Sequence, residues 1–78
     1  MPKDIVDYIV KSLVEKPELV SITQKAEGPD NTRVLLEIHV DENDLGKVIG
    51  KGGRTIKSIR NIISLIFKDH NLFVDIAK

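Results

Sequence analysis

The chain has 78 residues, enough for one small domain spanning residues 1–78 with a modest core. It contains no cysteine, which excludes disulfides and thiolate metal sites and suits a reducing cytoplasm. The N-terminal residues lack the pattern of a signal peptide, and the longest apolar run, residues 62–67, is too short to span a membrane. We therefore expect a cytoplasmic protein that does not enter a membrane.

The charges are unevenly distributed although 12 basic and 12 acidic side chains give a net charge of zero. Residues 1–44 hold five basic and ten acidic side chains, whereas residues 45–60 hold five basic and no acidic ones. A local field of one sign can guide a polyanion even when the total charge cancels. A solvated charged surface is the simpler interpretation of such a run, but a glycine-rich turn inside it favours nucleic-acid binding.

The first half of the chain predicts one helix and a hairpin. Apolar residues at helical spacing fall on one side of a helix from Lys3 to Lys16, and Pro17 ends it. Two alternating segments, 19–27 and 32–40, predict strands, and the turn residues 28–31 between them indicate a hairpin. In these strands Val20, Ile22 and Ala26, and then Val34, Leu36, Ile38 and Val40, are expected to be buried.

The second half predicts two helices and a last strand. Residues 41–44 supply acidic and amide side chains that can cap a short helix over residues 45–49. A longer helix runs from about Gly53 to Phe67 or Lys68, and residues 72–77 alternate as a strand. The apolar side of the long helix is predicted to comprise Ile56, Ile59, Ile62, Ile63, Ile66 and Phe67.

The predicted order α-β-β-α-α-β defines an α+β fold. A strand, two helices and a further strand favour a crossover between parallel neighbours, whereas the hairpin is antiparallel. We therefore expect a three-stranded mixed sheet with all three helices packed on one face.

One stretch joins the two helices of the second half: Val48-Ile49-Gly50-Lys51-Gly52-Gly53-Arg54-Thr55-Ile56. Its glycines permit positive φ angles and a close approach by another backbone. The N–H groups that open the following helix have no intrahelical acceptor and favour a phosphate. Five basic side chains surround the turn: Lys47, Lys51, Arg54, Lys57 and Arg60.

This stretch resembles the signature of KH domains, RNA-binding modules in which a GXXG loop clamps about four backbone nucleotides. The longer run from Asp44 to Arg60 is similar to the KhpA family of small stand-alone bacterial KH proteins. The resemblance implies a type II KH fold and a protein that binds single-stranded RNA, as an RNA chaperone or post-transcriptional regulator. It also implies a homodimer, pairing with a larger KhpB-type RNA-binding protein, and a role in cell elongation and cell-wall homeostasis.

The KH resemblance assigns roles to residues around the turn. The backbone N–H groups of residues 50–53 and the ammonium of Lys51 would contact phosphates, and the other cations would attract the RNA strand. Ile49 and Ile56 would contact bases, whereas Val48 would pack inside. The predicted RNA-binding residues are Lys47, Ile49, Gly50, Lys51, Gly52, Gly53, Arg54, Ile56 and Lys57. The alternative is that the glycines only form a tight corner between helices, although one glycine usually suffices for that.

The sequence does not indicate an enzyme, a metal site or a cofactor. The P-loop pattern Gly-x-x-x-x-Gly-Lys-Ser/Thr does not occur, because Lys51 is followed by Gly52, and the turn follows a helix rather than a strand. His39 and His70 are isolated and lack a partner at metal-ligand spacing. We therefore expect no catalytic activity and no small-molecule substrate.

The competing interpretation is a KH-fold interaction module whose main role is dimerisation. Leu65 falls outside the apolar side of the long helix, near Ile62 and Ser58. These three residues are the predicted dimer interface, since an exposed apolar patch often marks a partner surface. A single exposed apolar residue is also common on surfaces, and the sequence does not separate the two possibilities.

Overall fold

The computed structural model describes residues 1–77. Their elements confirm the predicted order α-β-β-α-α-β, and three short 3-10 turns, at 17–19, 42–44 and 51–53, lie between them. The helices and strands are α1 (Pro2–Leu13), β1 (Ser21–Glu27), β2 (Arg33–His39), α2 (Leu45–Ile49), α3 (Arg54–Phe67) and β3 (Leu72–Ile76).

The three strands form the expected mixed sheet in the order β1-β2-β3. β1 pairs antiparallel with β2, which places Ile22 opposite Ile38. β2 pairs parallel with β3, because α2 and α3 carry the chain back so that β3 starts at the same end of the sheet as β2. This pairing places Leu36 opposite Val74. β3 is therefore an edge strand, and one of its sides carries backbone groups that no neighbouring strand can pair.

The core lies between one face of the sheet and the three helices. Strand residues with the same alternation point into it, and the helices contribute side chains at three- and four-residue spacing. The buried apolar residues are Val6, Val10, Val20, Ile22, Leu36, Ile38, Val48, Ile56, Ile59, Ile63 and Val74.

Two predicted boundaries on the N-terminal side are wrong. α1 ends at Leu13 instead of reaching Lys16, and β1 begins at Ser21 after a 3-10 turn rather than at residue 19. Ala26 is exposed although the alternation predicted it to be buried. The reason is that the hairpin projects beyond the helices, so that residues 24–33 have no layer packed over them.

The apolar side of α3 is narrower than predicted. Ile56, Ile59 and Ile63 are buried and Phe67 is half-buried, but Ile62 is 42% and Ile66 is 52% exposed. The sequence predicted Ile62 and Ile66 to be buried because both lie on the apolar side of the helix. Helical spacing does not specify how much of that side the sheet and α1 cover. Together with Leu65, which is 75% exposed, they leave an apolar patch on the surface of α3.

Asp44 is a buried carboxylate that joins the end of α1 to the start of α2. Only 2% of its surface is exposed. Its Oδ1 accepts from the N–H of Glu15 at 3.1 Å, and its Oδ2 accepts from the N–H of Lys16 at 3.0 Å. These two N–H groups follow the last turn of α1, so the contact fixes where the chain leaves the helix. A helix-capping role for the acidic residues 41–44 was expected, and Asp41 does accept from the N–H of Asn43.

The hydrogen bond from the N–H of Glu15 holds the pKa of the Asp44 carboxyl below its ordinary value. Burial opposes this shift, and the hydrogen bond from the N–H of Lys16 adds to it. Because the folded-state pKa is the lower one, the carboxylate stabilises the fold above the unfolded-state pKa of ~4. That contribution is lost as the pH falls through the folded-state pKa. Asp44→Asn should therefore lower Tm at pH 7 and reduce the dependence of Tm on pH in the acid range. Thermal melts between neutral and acid pH, with Asp30→Asn in the exposed turn as the control, test this expectation.

Candidate nucleic-acid interface

Residues 50–53, here called the glycine loop, connect the C-terminus of α2 to the N-terminus of α3. The N–H of Gly50 donates to the carbonyl of Gly46 at 2.9 Å and so closes α2. The N–H of Gly53 donates to the carbonyl of Gly50 at 3.1 Å, which holds the loop as a single tight turn. α3 then begins at Arg54, directly behind the loop.

Gly50 cannot be replaced without distortion. Its φ of 77° and ψ of 171° lie in a region that is essentially restricted to glycine. A Cβ at this position would lie 2.7 Å from the backbone nitrogen of Thr55 and closer still to its Oγ1. The first turn of α3 therefore packs directly against the backbone of Gly50, and this contact sets the angle between the two helices.

The outer half of the loop is open to solvent. Gly52 has a φ of 64° and a ψ of 20°, a left-handed conformation, and a Cβ there would meet nothing within 4 Å. Gly53 has a similar conformation and is equally uncrowded on its Cβ side. The packing around Gly50 explains why that residue is glycine, whereas the space beside Gly52 leaves room for another molecule's backbone to approach.

Three cations stand around the loop. Lys51 lies within it, and Arg54 and Lys57 lie in the first turns of α3; all three side chains are exposed. The ion pairs formed within residues 1–77 involve none of these three side chains. Their charges therefore face solvent with no carboxylate of the described residues in contact.

The other two cations of this stretch are engaged within the fold. Lys47 Nζ lies 2.7 Å from Glu15 Oε1 and 3.8 Å from Asp44 Oδ1. Arg60 donates through Nε to the carbonyl of Val74 at 2.8 Å and through NH2 to Asp75 Oδ1 at 3.1 Å. The charge count of the sequence gave all five cations equal weight, because the partners of Lys47 and Arg60 are remote in sequence and carry no spacing signal.

The apolar residues next to the loop divide between surface and core. Val48 is fully buried, as expected, and Ile49 is half-buried at the end of α2. Ile56 was predicted to contact bases, but only 6% of its surface is exposed and it packs in the core. That placement is a correction, and its cause is that Ile56 shares the inner side of α3 with Ile59 and Ile63.

Two other kinds of site find no support in the part of the chain that is described. Within residues 1–77, no three His, Cys, Asp or Glu side chains come together in a group that could hold a metal ion. The helices formed by these residues include none that is long and apolar enough to cross a membrane.

A Gly-x-x-Gly loop between two helices, set in an α-β-β-α-α-β domain with a mixed three-stranded sheet, defines the KH class of domains. Residues 3–76 match the family described as KhpA/KhpB, KH domain, and the chain belongs to that family. The match covers every helix except the first residue of α1, and all three strands.

Curated relatives agree with this assignment over most of their length. "RNA-binding protein KhpA" of Chlamydia trachomatis is 39% identical over 74 residues, which are 95% of this chain and 91% of the relative. "RNA-binding protein KhpA" of Clostridium perfringens is 44% identical over 61 residues, covering 78% and 77% of the two chains. Among solved structures, an Era variant from Aquifex aeolicus bound to GDP and aluminium fluoride aligns with 97% of this chain and 30% of that chain. Its TM-score is 0.49 and its sequence identity 23%.

Two alanine substitutions, at Gly50 and at Gly46, test the steric constraint on Gly50. Gly50→Ala should lower the free energy of unfolding by about 1–3 kcal/mol through backbone strain, and the contact with Thr55 should add to that loss. Gly46→Ala lies in α2, where a Cβ would meet nothing within 4 Å, and should raise the free energy of unfolding by roughly 0.5–1 kcal/mol. Urea unfolding of both variants and the wild type measures the difference. Equal stability of the two variants would contradict the constraint on Gly50.

Proposed function

We propose that this protein binds single-stranded RNA by holding backbone phosphates at the glycine loop. The observation that supports this most directly is the open, Cβ-free outer half of the loop, with three exposed cations around it. Membership of a family whose curated relatives are named RNA-binding proteins supports the same function.

The loop offers phosphates two kinds of contact. The first N–H groups of a helical turn have no intrahelical acceptor and point toward its N-terminal side, where they favour an anion. Lys51, Arg54 and Lys57 add positive charge that a polyanion would neutralise. Lys47 contributes less in this proposal than the sequence suggested, because its ammonium is already paired with Glu15.

Base selection at the loop should be weak. Aromatic platforms supply much of the affinity in other single-strand binders, and none of the aromatic residues Tyr8, Phe67 and Phe73 lies in the segment from Leu45 to Lys57. Ile49 is the apolar residue next to the loop that retains accessible surface for a base. A single copy would therefore hold RNA loosely, and a second copy or a second RNA-binding protein would raise the affinity through linked binding.

The working context follows from the family resemblance. We propose an RNA chaperone or post-transcriptional regulator in the cytoplasm, acting as a homodimer or with a larger KhpB-type RNA-binding protein. The connection to cell elongation and cell-wall homeostasis rests on the resemblance alone and stays a prediction.

The loop is tested by replacing Lys51 and Gly52 together by Asp. The left-handed conformation of Gly52 is one that Asp tolerates better than most residues, and its Cβ would be unhindered, so the variant should fold. Two carboxylates would then face the phosphates, and RNA binding in fluorescence anisotropy should be lost while the circular dichroism spectrum is unchanged. The neutral double variant with Asn at both positions is the control and should retain part of the affinity. If the folded Asp variant binds RNA with the affinity of the wild type, the glycine loop does not contact the RNA.

A salt titration of the wild type separates phosphate contacts from general surface charge. Contacts from three cations predict a slope of roughly −2 for log affinity against log salt on single strands. Lys57→Ala should flatten the slope by about 0.7, the value of one contact, if its ammonium meets a phosphate. A slope near zero in the wild type would mean that the three cations are only a solvated surface.

A second candidate function is protein assembly through α3. Ile62, Leu65 and Ile66 form an exposed apolar patch, with Ser58 one turn before Ile62 on the same side of the helix. The patch therefore contains Ile62 and Leu65 of the predicted interface, has Ser58 beside it and adds Ile66. A twofold axis through it would bring the same residues of two copies together, as closed dimers require.

Ile62→Asp and Leu65→Asp test this assembly. Each would place two like charges face to face in a poorly hydrated contact, at a cost on the order of 3–5 kcal/mol, so the dimer should dissociate. Sedimentation equilibrium gives the mass of wild type and variants, and Ser64→Asp on the opposite side of α3 is the control. Wild type that stays monomeric at high concentration would refute self-association. Unfolding of Ile62→Asp would instead show that this residue supports the core.

A further inference from the structure

Lys47 and Glu15 form an ion pair on the surface, one helical turn before the glycine loop. The ammonium of Lys47 lies 2.7 Å from Oε1 of Glu15, and the two side chains are 42% and 79% exposed. Exposed ion pairs are weak, because water screens the charges and two long side chains must be held in one geometry. Pairs of this kind contribute a factor of about 1.4–5 to an equilibrium constant. A competing anion therefore needs little free energy to take Lys47 from Glu15.

The buried carboxylate of Asp44 is held independently of this pair. Its two oxygens accept from the N–H groups of Glu15 and Lys16 at 3.1 and 3.0 Å, whereas Lys47 Nζ lies 3.8 Å from Oδ1. Both donors are backbone groups, so they stay in place when the side chain of Lys47 moves or that of Glu15 is replaced. The connection between the end of α1 and the start of α2 therefore persists when Lys47 leaves Glu15.

Lys47 is close enough to the loop to contact the same RNA strand. It lies in the last turn of α2, and the helix rises ~5 Å from Lys47 to Gly50 at 1.5 Å per residue. Its ammonium is carried on a flexible four-carbon stem, so the position of the charge is not fixed by the helix. Gly46, its exposed neighbour on α2, has nothing within 4 Å of the position of a Cβ. A backbone held at the loop can therefore also approach this side of α2.

We propose that Lys47 exchanges the carboxylate of Glu15 for an RNA phosphate when the strand binds, and that Glu15 thereby lowers the affinity of the site. This inference rests on the proposed binding of RNA at the glycine loop. It adds a fourth phosphate contact to those of Lys51, Arg54 and Lys57. In the free protein the ammonium of Lys47 is neutralised by Glu15, whereas in the complex Glu15 faces solvent alone. RNA gains the contact with Lys47 only after the ion pair has been broken.

The salt dependence of binding tests whether the exchange occurs. The three cations of the loop predict a slope of roughly −2 for log affinity against log salt, and a fourth contact steepens it to roughly −3. Lys47→Ala should lower the affinity for an adenine octanucleotide in fluorescence anisotropy and return the slope to roughly −2. Lys11→Ala is the matched control, because Lys11 forms an exposed ion pair with Asp7 on α1 at 3.0 Å. It should leave the slope unchanged.

Glu15→Gln tests the competition for Lys47. The substitution keeps the length of the side chain and the N–H that donates to Asp44, so the variant should fold. Lys47 is then unpaired with residue 15 before RNA arrives, and Kd for the octanucleotide should fall by a factor of about 1.4–5. In a protein that already carries Lys47→Ala, the same substitution should lower Kd less, since it removes only the general repulsion between Glu15 and the strand. The ratio of the two effects isolates the competition.

A measurement on the wild type needs no variant to fold. The side-chain carboxyl carbon of Glu15 should change its NMR chemical shift when the octanucleotide is added, because the carboxylate loses its ammonium partner. A resonance that stays in place overturns the exchange, as does a slope that Lys47→Ala leaves unchanged. An equal effect of Glu15→Gln with and without Lys47 overturns the competition, and in each of these cases binding at the loop stands. Wild type that does not bind the octanucleotide overturns both proposals.

Discussion

The two N–H groups that follow α1 donate to the carboxylate of Asp44, and the position of the glycine loop depends on this contact. α2 has only five residues, far fewer than an isolated helix needs to be stable in water. Its orientation must therefore come from its surroundings, and Asp44 immediately precedes it. By joining that residue to the end of α1, the fold anchors α2 at its N-terminal end, and Val48 anchors it in the core. The loop then extends from a helix fixed at both ends.

The positive stretch of the chain has two separate physical roles. Lys47 and Arg60, at its two ends, join α2 to the end of α1 and α3 to β3 through carboxylates and a carbonyl. Lys51, Arg54 and Lys57, in the middle, face solvent around the loop. The field that would attract a polyanion is thus concentrated at the loop, because the flanking charges are compensated by the fold. A neutral chain can in this way present a local positive surface without becoming basic overall.

The features that depend on local chemistry could be predicted from the sequence, and those that depend on distant partners could not. Helical spacing, the turn residues 28–31 and the Gly-x-x-Gly stretch gave the element order, the mixed sheet and the position of the loop. The end of α1 was predicted at Pro17, because the carboxylate that ends the helix earlier lies 28 residues beyond Lys16. The burial of Ile56 and the exposure of Ile66 depend on how α3 is rotated against the sheet, which its period alone does not specify.

The contact of Arg60 with β3 has a consequence for how the protein behaves at high concentration. An edge strand exposes a row of backbone groups that can pair with another chain and start ordered aggregation. Here the outward carbonyl of Val74 is occupied by the guanidinium of Arg60, and the N–H of Ile76 donates to the side chain of Asp75 at 2.8 Å. A second chain would have to displace both before its backbone could join the sheet. The arginine at one end of the positive stretch therefore also hinders the pairing of another chain with this edge of the sheet.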